Sequence, residues 1–135
     1  MGNSIKDIYL DDYQSVVGDL LNRNRSILDI TSKFVGSSSR VNRSVVKAVT
    51  HCGCIIVNAK KQNFPDEANY ENMIDLMDSH VEGELCEECR RNFEKEVGNT
   101  LFYIAALCNC LDISMYDVIL KDKEALSTLG SYSLR

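Results

Sequence analysis

The 135-residue chain has no tryptophan, one proline and only seven glycines. So little proline and glycine excludes a collagen-like or linker-rich protein. The longest apolar stretch, 101–111, is interrupted by Asn109 and falls short of the roughly 18 residues that a membrane helix needs. The chain does not open with a basic segment followed by an apolar block, as secretory signals do. We therefore expect a cytoplasmic protein without a membrane partner, whose six cysteines are reduced.

Apolar residues recur at spacings of three and four, with little strict alternation, which is typical of α-helices. Together with a hydrophobic content of 44%, this predicts an all-α helical bundle. We expect one domain over 1–135, with its core over about 7–126 and a loosely ordered tail over 127–135. The serine run 36–39 is interpreted as a break, and Ser114 as a helix cap. The predicted helices are 7–22, 25–35, 39–60, 68–79, 84–111 and 115–126.

Charge is unevenly distributed along the chain. Residues 22–65 carry eight bases and one acid, whereas 66–135 carry six bases and fifteen acids. Arg40, Arg43 and Lys47 follow one face of the predicted third helix. This strip indicates a ligand surface for the phosphates of a nucleotide or, less strongly, of a nucleic acid. The alternative is a solvated or structurally paired basic face.

The most distinctive segment begins E-K-E-V-G-N-T-L-F-Y-I-A-A-L at residue 94 and continues L-D-I-S-M-Y-D-V at residue 111. It resembles the second half of the MazG-like all-α nucleoside triphosphate pyrophosphohydrolases. The resemblance implies a helical bundle that assembles as a homo-oligomer. It also implies a magnesium ion held by carboxylates of two E-x-x-E/D motifs, which polarises the triphosphate and positions a water for attack.

Carrying the family pattern over places Glu96 and Asn99 at its second motif, with Asn99 where the family has Asp. Gly53 is the anchor for the first motif, and it puts Thr50, His51 and Cys54 where acids belong. No carboxylate lies between Asp29 and Asp66. We therefore expect a catalytically degenerate relative that binds a nucleotide-like ligand or a metal ion. An active Mg²⁺-dependent pyrophosphohydrolase is the alternative.

Tyr103 stands at an aromatic position of the same motif. The resemblance implies stacking on a nucleobase there, and a core aromatic is the other interpretation. Cys108 and Cys110 are interpreted as core and flank residues without chemistry.

Two cysteine pairs offer a different chemistry. Cys52 and Cys54 form a C-x-C, and Cys86 and Cys89 a C-x-x-C, 31 residues apart. Two such pairs can supply a tetrahedral Cys₄ site for Zn²⁺. Residues two apart on an unbroken helix diverge by about 200°, so the C-x-C binds one ion only if Gly53 ends the helix. In an unbroken helix, His51 would join Cys54 instead.

Two further interpretations of these thiols stay open, namely plain core residues and a dithiol redox pair at Cys86 and Cys89. The metal interpretation leads to a third functional hypothesis. In it, the chain is a zinc-thiolate sensor or adaptor that contacts a protein or a nucleic acid.

Overall fold

The computed structural model describes residues 5–21 and 25–130. It is 71% helical, which confirms the predicted all-α class. Two three-residue strands, β1 (Ile55–Val57) and β2 (Val81–Gly83), pair antiparallel. A π-helical turn spans Ala48–Cys52. The α-helices of the described part are α1 (Ile5–Leu20), α2 (Ile27–Lys47), α3 (Tyr70–Leu76), α4 (Glu87–Cys110) and α5 (Met115–Leu129).

By its internal contacts the chain divides into two compact units. Unit 1 comprises Met1–Val41 and Lys95–Arg135, and unit 2 comprises Asn42–Glu94. The organisation of residues 1–135 as one domain stays a prediction.

The hydrophobic core of unit 1 is built by residues from its four helical segments. Small residues of α4 allow close packing, since Ala105 and Ala106 are fully buried beside Val17 of α1 and Ile30 of α2. Met115 closes the cluster at the start of α5. Gln14 fixes that end of the core, because its amide donates to the Ile113 carbonyl at 2.7 Å and accepts from the Met115 N–H at 2.9 Å. The core therefore combines small side chains of α4 with larger aliphatic side chains of the other helices.

The serine run does not break the chain, so the prediction of two helices over 25–35 and 39–60 is wrong there. A single helix, α2, continues through it from Ile27 to Lys47. The hydroxyls of Ser37 and Ser38 donate to the carbonyls of Phe34 and Val35, each at 2.9 Å. Bonding back to the preceding turn satisfies these hydroxyls without interrupting the helix. Because Ser37 is fully buried, its small side chain also allows close packing.

The predicted continuation of that helix to residue 60 is also wrong. The helical segment ends at Cys52, and Gly53 adopts a left-handed conformation, with φ of 80°. The β-branched run Ile55–Val57 then forms β1, and Ile55 is buried where it pairs with Gly83 of β2. β-branched side chains fit a strand better than a helix, which explains the change of structure.

The loop between the two strands is tied at its base by one side chain. The Gln62 amide donates to the Asp78 carbonyl at 2.7 Å and accepts from the Asp78 N–H at 3.0 Å. The strand pairing extends towards this tie, since the Asn58 N–H donates to the His80 carbonyl at 2.8 Å. Within the loop, α3 begins at a capping box formed by Asn69 and Asn72. The predicted helix 68–79 is therefore present but shorter.

The last helix starts as predicted and ends later. Ser114 caps α5, because its hydroxyl accepts a hydrogen bond from the Asp117 N–H at 3.2 Å. The helix continues to Leu129, so the predicted loose tail is wrong for 127–129. Residues 131–135 of that tail lie outside the described residues.

Among the described helices, none by itself has the length and apolarity of a membrane span. The consecutive pair α4 and α5 does so only when the two are taken together, and they are bent by 104° at the turn between them.

Gly83 is the position at which an added methyl group would do most damage to unit 2. Its φ is 85°, and a Cβ there would lie 2.7 Å from the Cys54 carbonyl oxygen. We expect Gly83→Ala to destabilise unit 2 by about 2 kcal/mol or more, because strain and the clash add. Hydrogen exchange of the amides of 55–57 measures this loss.

Gly98→Ala is the matched control. Gly98 lies in α4, where a Cβ would meet nothing within 4 Å. Alanine is favoured over glycine by about 1 kcal/mol inside a helix, so this variant should be as stable as the parent or more so. Equal protection of 55–57 in both variants would contradict the role assigned to Gly83.

Candidate metal centre

The first cysteine pair is placed by the end of the π-helical turn. The Gly53 N–H donates to the Ala48 carbonyl at 2.9 Å, which closes the turn. The left-handed Gly53 then reverses the chain, so that Cys52 and Cys54 no longer diverge as they would on a continuous helix. The Cys54 thiol also lies 3.9 Å from the Ala48 carbonyl oxygen. The condition that the sequence sets for a C-x-C site, an end of the helix at Gly53, is thus met.

The second pair is placed by the start of α4. Cys86 precedes the first helical residue, and its Sγ accepts from the Cys89 N–H at 3.4 Å. This is the hydrogen bond of an N-cap, with sulfur in place of the usual oxygen. Cys89 lies within the first turn, so its side chain lies on the same side of the helix as Cys86. β2 ends three residues before Cys86, and its partner strand β1 starts directly after Cys54. The strand pair therefore carries one cysteine pair towards the other.

All four sulfur atoms converge. The Sγ atoms of Cys52, Cys54, Cys86 and Cys89 lie within 4.8 Å of one another. Those of Cys52 and Cys86 are 3.8 Å apart, too far for a disulfide and close to the spacing of about 3.8 Å set by tetrahedral Zn–S bonds of about 2.3 Å. Over residues 5–21 and 25–130, this is the one group of three or more His, Cys, Asp or Glu side chains that could hold a metal ion. All four cysteines belong to unit 2.

The thiols of the cluster differ in acidity. The Cys89 N–H stabilises the charged sulfur of Cys86, which lowers the pKa of that thiol to about 7. The pKa of Cys89 is raised, chiefly because its thiol donates to the Cys86 sulfur. The Cys86 thiol at the helix N-terminus thus has a lower pKa than the neighbouring Cys89 thiol. A divalent cation bound by the cluster would displace the thiol protons, since a metal binds the thiolate form.

The other sulfur and imidazole groups do not join the cluster. His51 is exposed and is not among the four converging side chains, so the structure brings Cys52 rather than His51 to the site. Cys108 packs at the edge of the unit 1 core, where burial raises the pKa of its thiol. Cys110 is exposed, and its thiol lies 3.8 Å from the Arg25 carbonyl oxygen. Both lie outside unit 2.

The residues that the MazG-like pattern singles out, Glu96 and Asn99, contact each other and, through Glu96, Arg40 rather than the cysteine cluster. The Glu96 carboxylate accepts from the Arg40 guanidinium at 3.0 Å and from the Asn99 amide at 3.5 Å. Glu96 is 20% exposed and Arg40 is 50% exposed, so the pair lies partly in solvent. A second carboxylate does not join Glu96 in any metal-binding group of the described residues. The arrangement is that of a structural ion pair.

The residues predicted to bind a nucleotide-like ligand differ in their surroundings. Arg40 is engaged by Glu96, whereas Arg43 and Lys47 are exposed on the last turns of α2. Tyr103 packs against the unit 1 core, with its ring edge-to-face on Phe102 at a centroid distance of 5.3 Å and an interplanar angle of 87°. That geometry is typical of core aromatic pairs.

One residue that positions the site is missed by sequence reasoning. Gly83 brings its backbone against the Cys54 carbonyl, so close that only glycine fits. In the sequence, Gly83 is seen only as a glycine just ahead of the C-x-x-C. Its position does not predict that its backbone contacts the Cys54 carbonyl.

Comparisons with protein-family models, curated proteins and solved structures find no match for this chain.

Proposed function

We propose that the chain is a zinc-thiolate protein in which Cys52, Cys54, Cys86 and Cys89 bind one Zn²⁺. The observation that supports this is the convergence of four sulfur atoms within 4.8 Å from two distant parts of the chain. Two pairs separated by 31 residues meet only because the helix ends at Gly53 and the strands pair. A chance grouping of core thiols would not require both the helix end at Gly53 and the strand pairing.

Zinc is the cation that fits this donor set best. Four thiolates are soft ligands, whereas magnesium and calcium prefer oxygen. Zinc accepts a tetrahedral arrangement of four sulfurs, which is the common form of a structural site. A site filled by four protein ligands leaves no position for a substrate or a water. The metal would therefore stabilise the fold rather than catalyse a reaction.

Unit 2 has little else to hold it together. In its described part the buried residues are Ala48 and Ile55, and its sheet has two strands of three residues. Segments of this size rarely bury enough apolar surface to fold on that basis alone, and metals often make up the difference. Zinc bound to both cysteine pairs would join the end of the π-helical turn to the start of α4. The metal would thus complete the folding of unit 2.

An adaptor is the role that such a unit supports. Arg43 and Lys47 are exposed on α2 a few residues before the first cysteine pair, and they offer contacts to phosphates or to acidic protein surfaces. A nucleotide-like ligand and a nucleic acid are the phosphate-bearing partners that we propose for this surface. Zinc-dependent folding of unit 2 would hold in place the end of α2, which carries Arg43 and Lys47.

We expect the chain purified without a metal-binding tag to contain about one zinc per molecule, held by four thiolates. Cys54→Ser should lower this to less than about a tenth under the same conditions, because an alcohol is a poor replacement for a thiolate. Metal analysis by mass spectrometry gives the ratio, and the charge-transfer bands of the cobalt-substituted protein report the thiolate ligands.

Cys110→Ser is the matched control, since Cys110 lies outside the cluster. It should keep the zinc of the parent. Zinc-free parent protein, or equal loss in both variants, would refute the proposed site.

We further expect a chelator to unfold unit 2 selectively. Removal of zinc takes away the link between the two cysteine pairs, whereas the core of unit 1 contains none of them. Hydrogen exchange should therefore rise over 55–57 and 81–83 and stay low over 101–107. Zinc added back should restore the protection. If exchange over the strands ignored the metal, the structural role would be excluded even for a chain that binds zinc.

We propose, secondly, that the chain has a MazG-like fold but lacks the pyrophosphohydrolase activity of that family. The motif segment 94–118 spans the last part of α4, a turn and the start of α5, in keeping with the all-α fold that the resemblance implies. Its one remaining motif carboxylate, Glu96, is engaged by Arg40 and Asn99. The absence of a convergent acidic group among the described residues supports a degenerate rather than an active member.

We expect no Mg²⁺-dependent release of pyrophosphate from a panel of nucleoside triphosphates, because one paired carboxylate is a poor magnesium site. A coupled pyrophosphate assay with the zinc-loaded chain checks this. Should turnover appear, Glu96→Gln decides its origin. Loss of the rate in that variant, with its fold intact by circular dichroism, would establish the pyrophosphohydrolase alternative and overturn this proposal.

A further inference from the structure

The helix α1 is apolar on two adjacent sides. One side packs on the core of unit 1 and contains Val17. The other is exposed, with Tyr9 at 74% and Leu20 at 64%. Val16 lies between them on the same side, since spacings of four, seven and eleven return to one helix face. We call Tyr9, Val16 and Leu20 the outer stripe of α1.

The helix α5 is fully buried only at its beginning. Met115 is buried in the core, whereas four large apolar side chains farther along the same face are between 43% and 51% exposed. Their spacings of one, seven and three residues place them around Met115 on one side of the helix. We call this set the open face of α5; its members are Val118, Ile119, Leu126 and Leu129.

Both surfaces lie in unit 1, and α1 packs on α5 there. The contacts between the two helices include the Gln14 side chain, which bonds the backbone at Ile113 and Met115. The side chains of the outer stripe and of the open face nevertheless stay between 42% and 74% exposed in the described chain. Exposed apolar faces that adjoin on neighbouring helices are typical of interaction sites.

The charges that border the two surfaces are opposite in sign. Asp12 and Asp19, seven residues apart and both exposed, border the outer stripe of α1. Lys121 and Lys123, both exposed, flank the open face of α5 on its two sides. The exposed acids of α5, Asp117 and Glu124, lie on the opposite side of that helix, and Asp122 is half-buried on the apolar face. An acid-rimmed surface and a base-rimmed surface thus occur on one chain.

We propose that α1 and α5 bind a second copy of this chain, with the outer stripe of one protomer against the open face of its partner. A two-fold axis makes this contact twice, so that both surfaces of both chains are covered and the assembly closes as a dimer. The aspartates of each α1 then face the lysines of the partner's α5. A complementary surface on the same chain is the feature that favours a second copy over an unrelated partner. This inference does not depend on the zinc site.

Sedimentation equilibrium of the zinc-loaded full chain tests the interface, with a dimer of twice the 15.2 kDa chain mass expected. Two double variants reverse the rims: Asp12→Lys with Asp19→Lys, and Lys121→Glu with Lys123→Glu. Each should raise the dimer dissociation constant by about tenfold or more, because attraction becomes repulsion in both copies of the contact. The chain that combines all four changes should return to within about threefold of the parent.

The control reverses two acids on the opposite side of α5, through Asp117→Lys with Glu124→Lys. It changes the net charge by as much as the α1 variant does and should leave the dissociation constant unchanged. All four positions of the rims are exposed, and circular dichroism verifies that each variant keeps its helices. A monomeric parent would overturn the proposal and leave these faces to a different partner. A dimer that the rim variants do not weaken, or that the combination does not restore, would overturn it equally.

Discussion

The close approach of two backbone segments holds the cysteine cluster together. Gly83 meets the Cys54 carbonyl at a distance that excludes a side chain, and Gly53 reverses the chain just before it. Neither glycine is a ligand, yet the positions of both sulfur pairs follow from them. Strand pairing fixes the register, since Ile55 opposite Gly83 sets the remaining pairs of the ladder. The chemistry of the site thus depends on backbone conformations that only glycine adopts at low cost.

The helices were predictable where the apolar spacing is regular, as in α4, and where a cap is visible, as at Ser114 of α5. The errors have local causes. The serine run 36–39 suggests a break because serines favour caps and turns. In α2, however, the serine hydroxyls bond to the preceding turn, and the buried Ser37 permits close packing. The strand at Ile55–Val57 was missed because three β-branched residues also continue a helical apolar pattern. Its partner β2 contains a glutamate and a glycine, so the pairing is a tertiary effect that local spacing does not reveal.

The candidate site was predictable to the level of its ligands and no further. Cysteine spacing identified both pairs, but the choice between Cys52 and His51 depended on whether the helix ends at Gly53, which the sequence alone left open. The family pattern singles out Glu96 and Asn99, but it does not predict that Arg40 pairs with Glu96. Arg40 lies 56 residues away in sequence, and its strip of bases was interpreted as a ligand surface. A long-range ion pair of this kind has no local signature.

The tie made by Gln62 has a consequence for how this region can change. The Gln62 amide bonds both the carbonyl and the N–H of Asp78. Residues 63–77 therefore form a loop whose two ends are joined outside the strand pair. The sulfur atoms lie on the far side of the ladder from that closure. Loop closure costs grow only slowly with length, so insertions over residues 63–68, ahead of α3, are the changes that unit 2 should tolerate best. Evolution therefore has here a site where a new recognition segment can be grafted without disturbing the metal ligands.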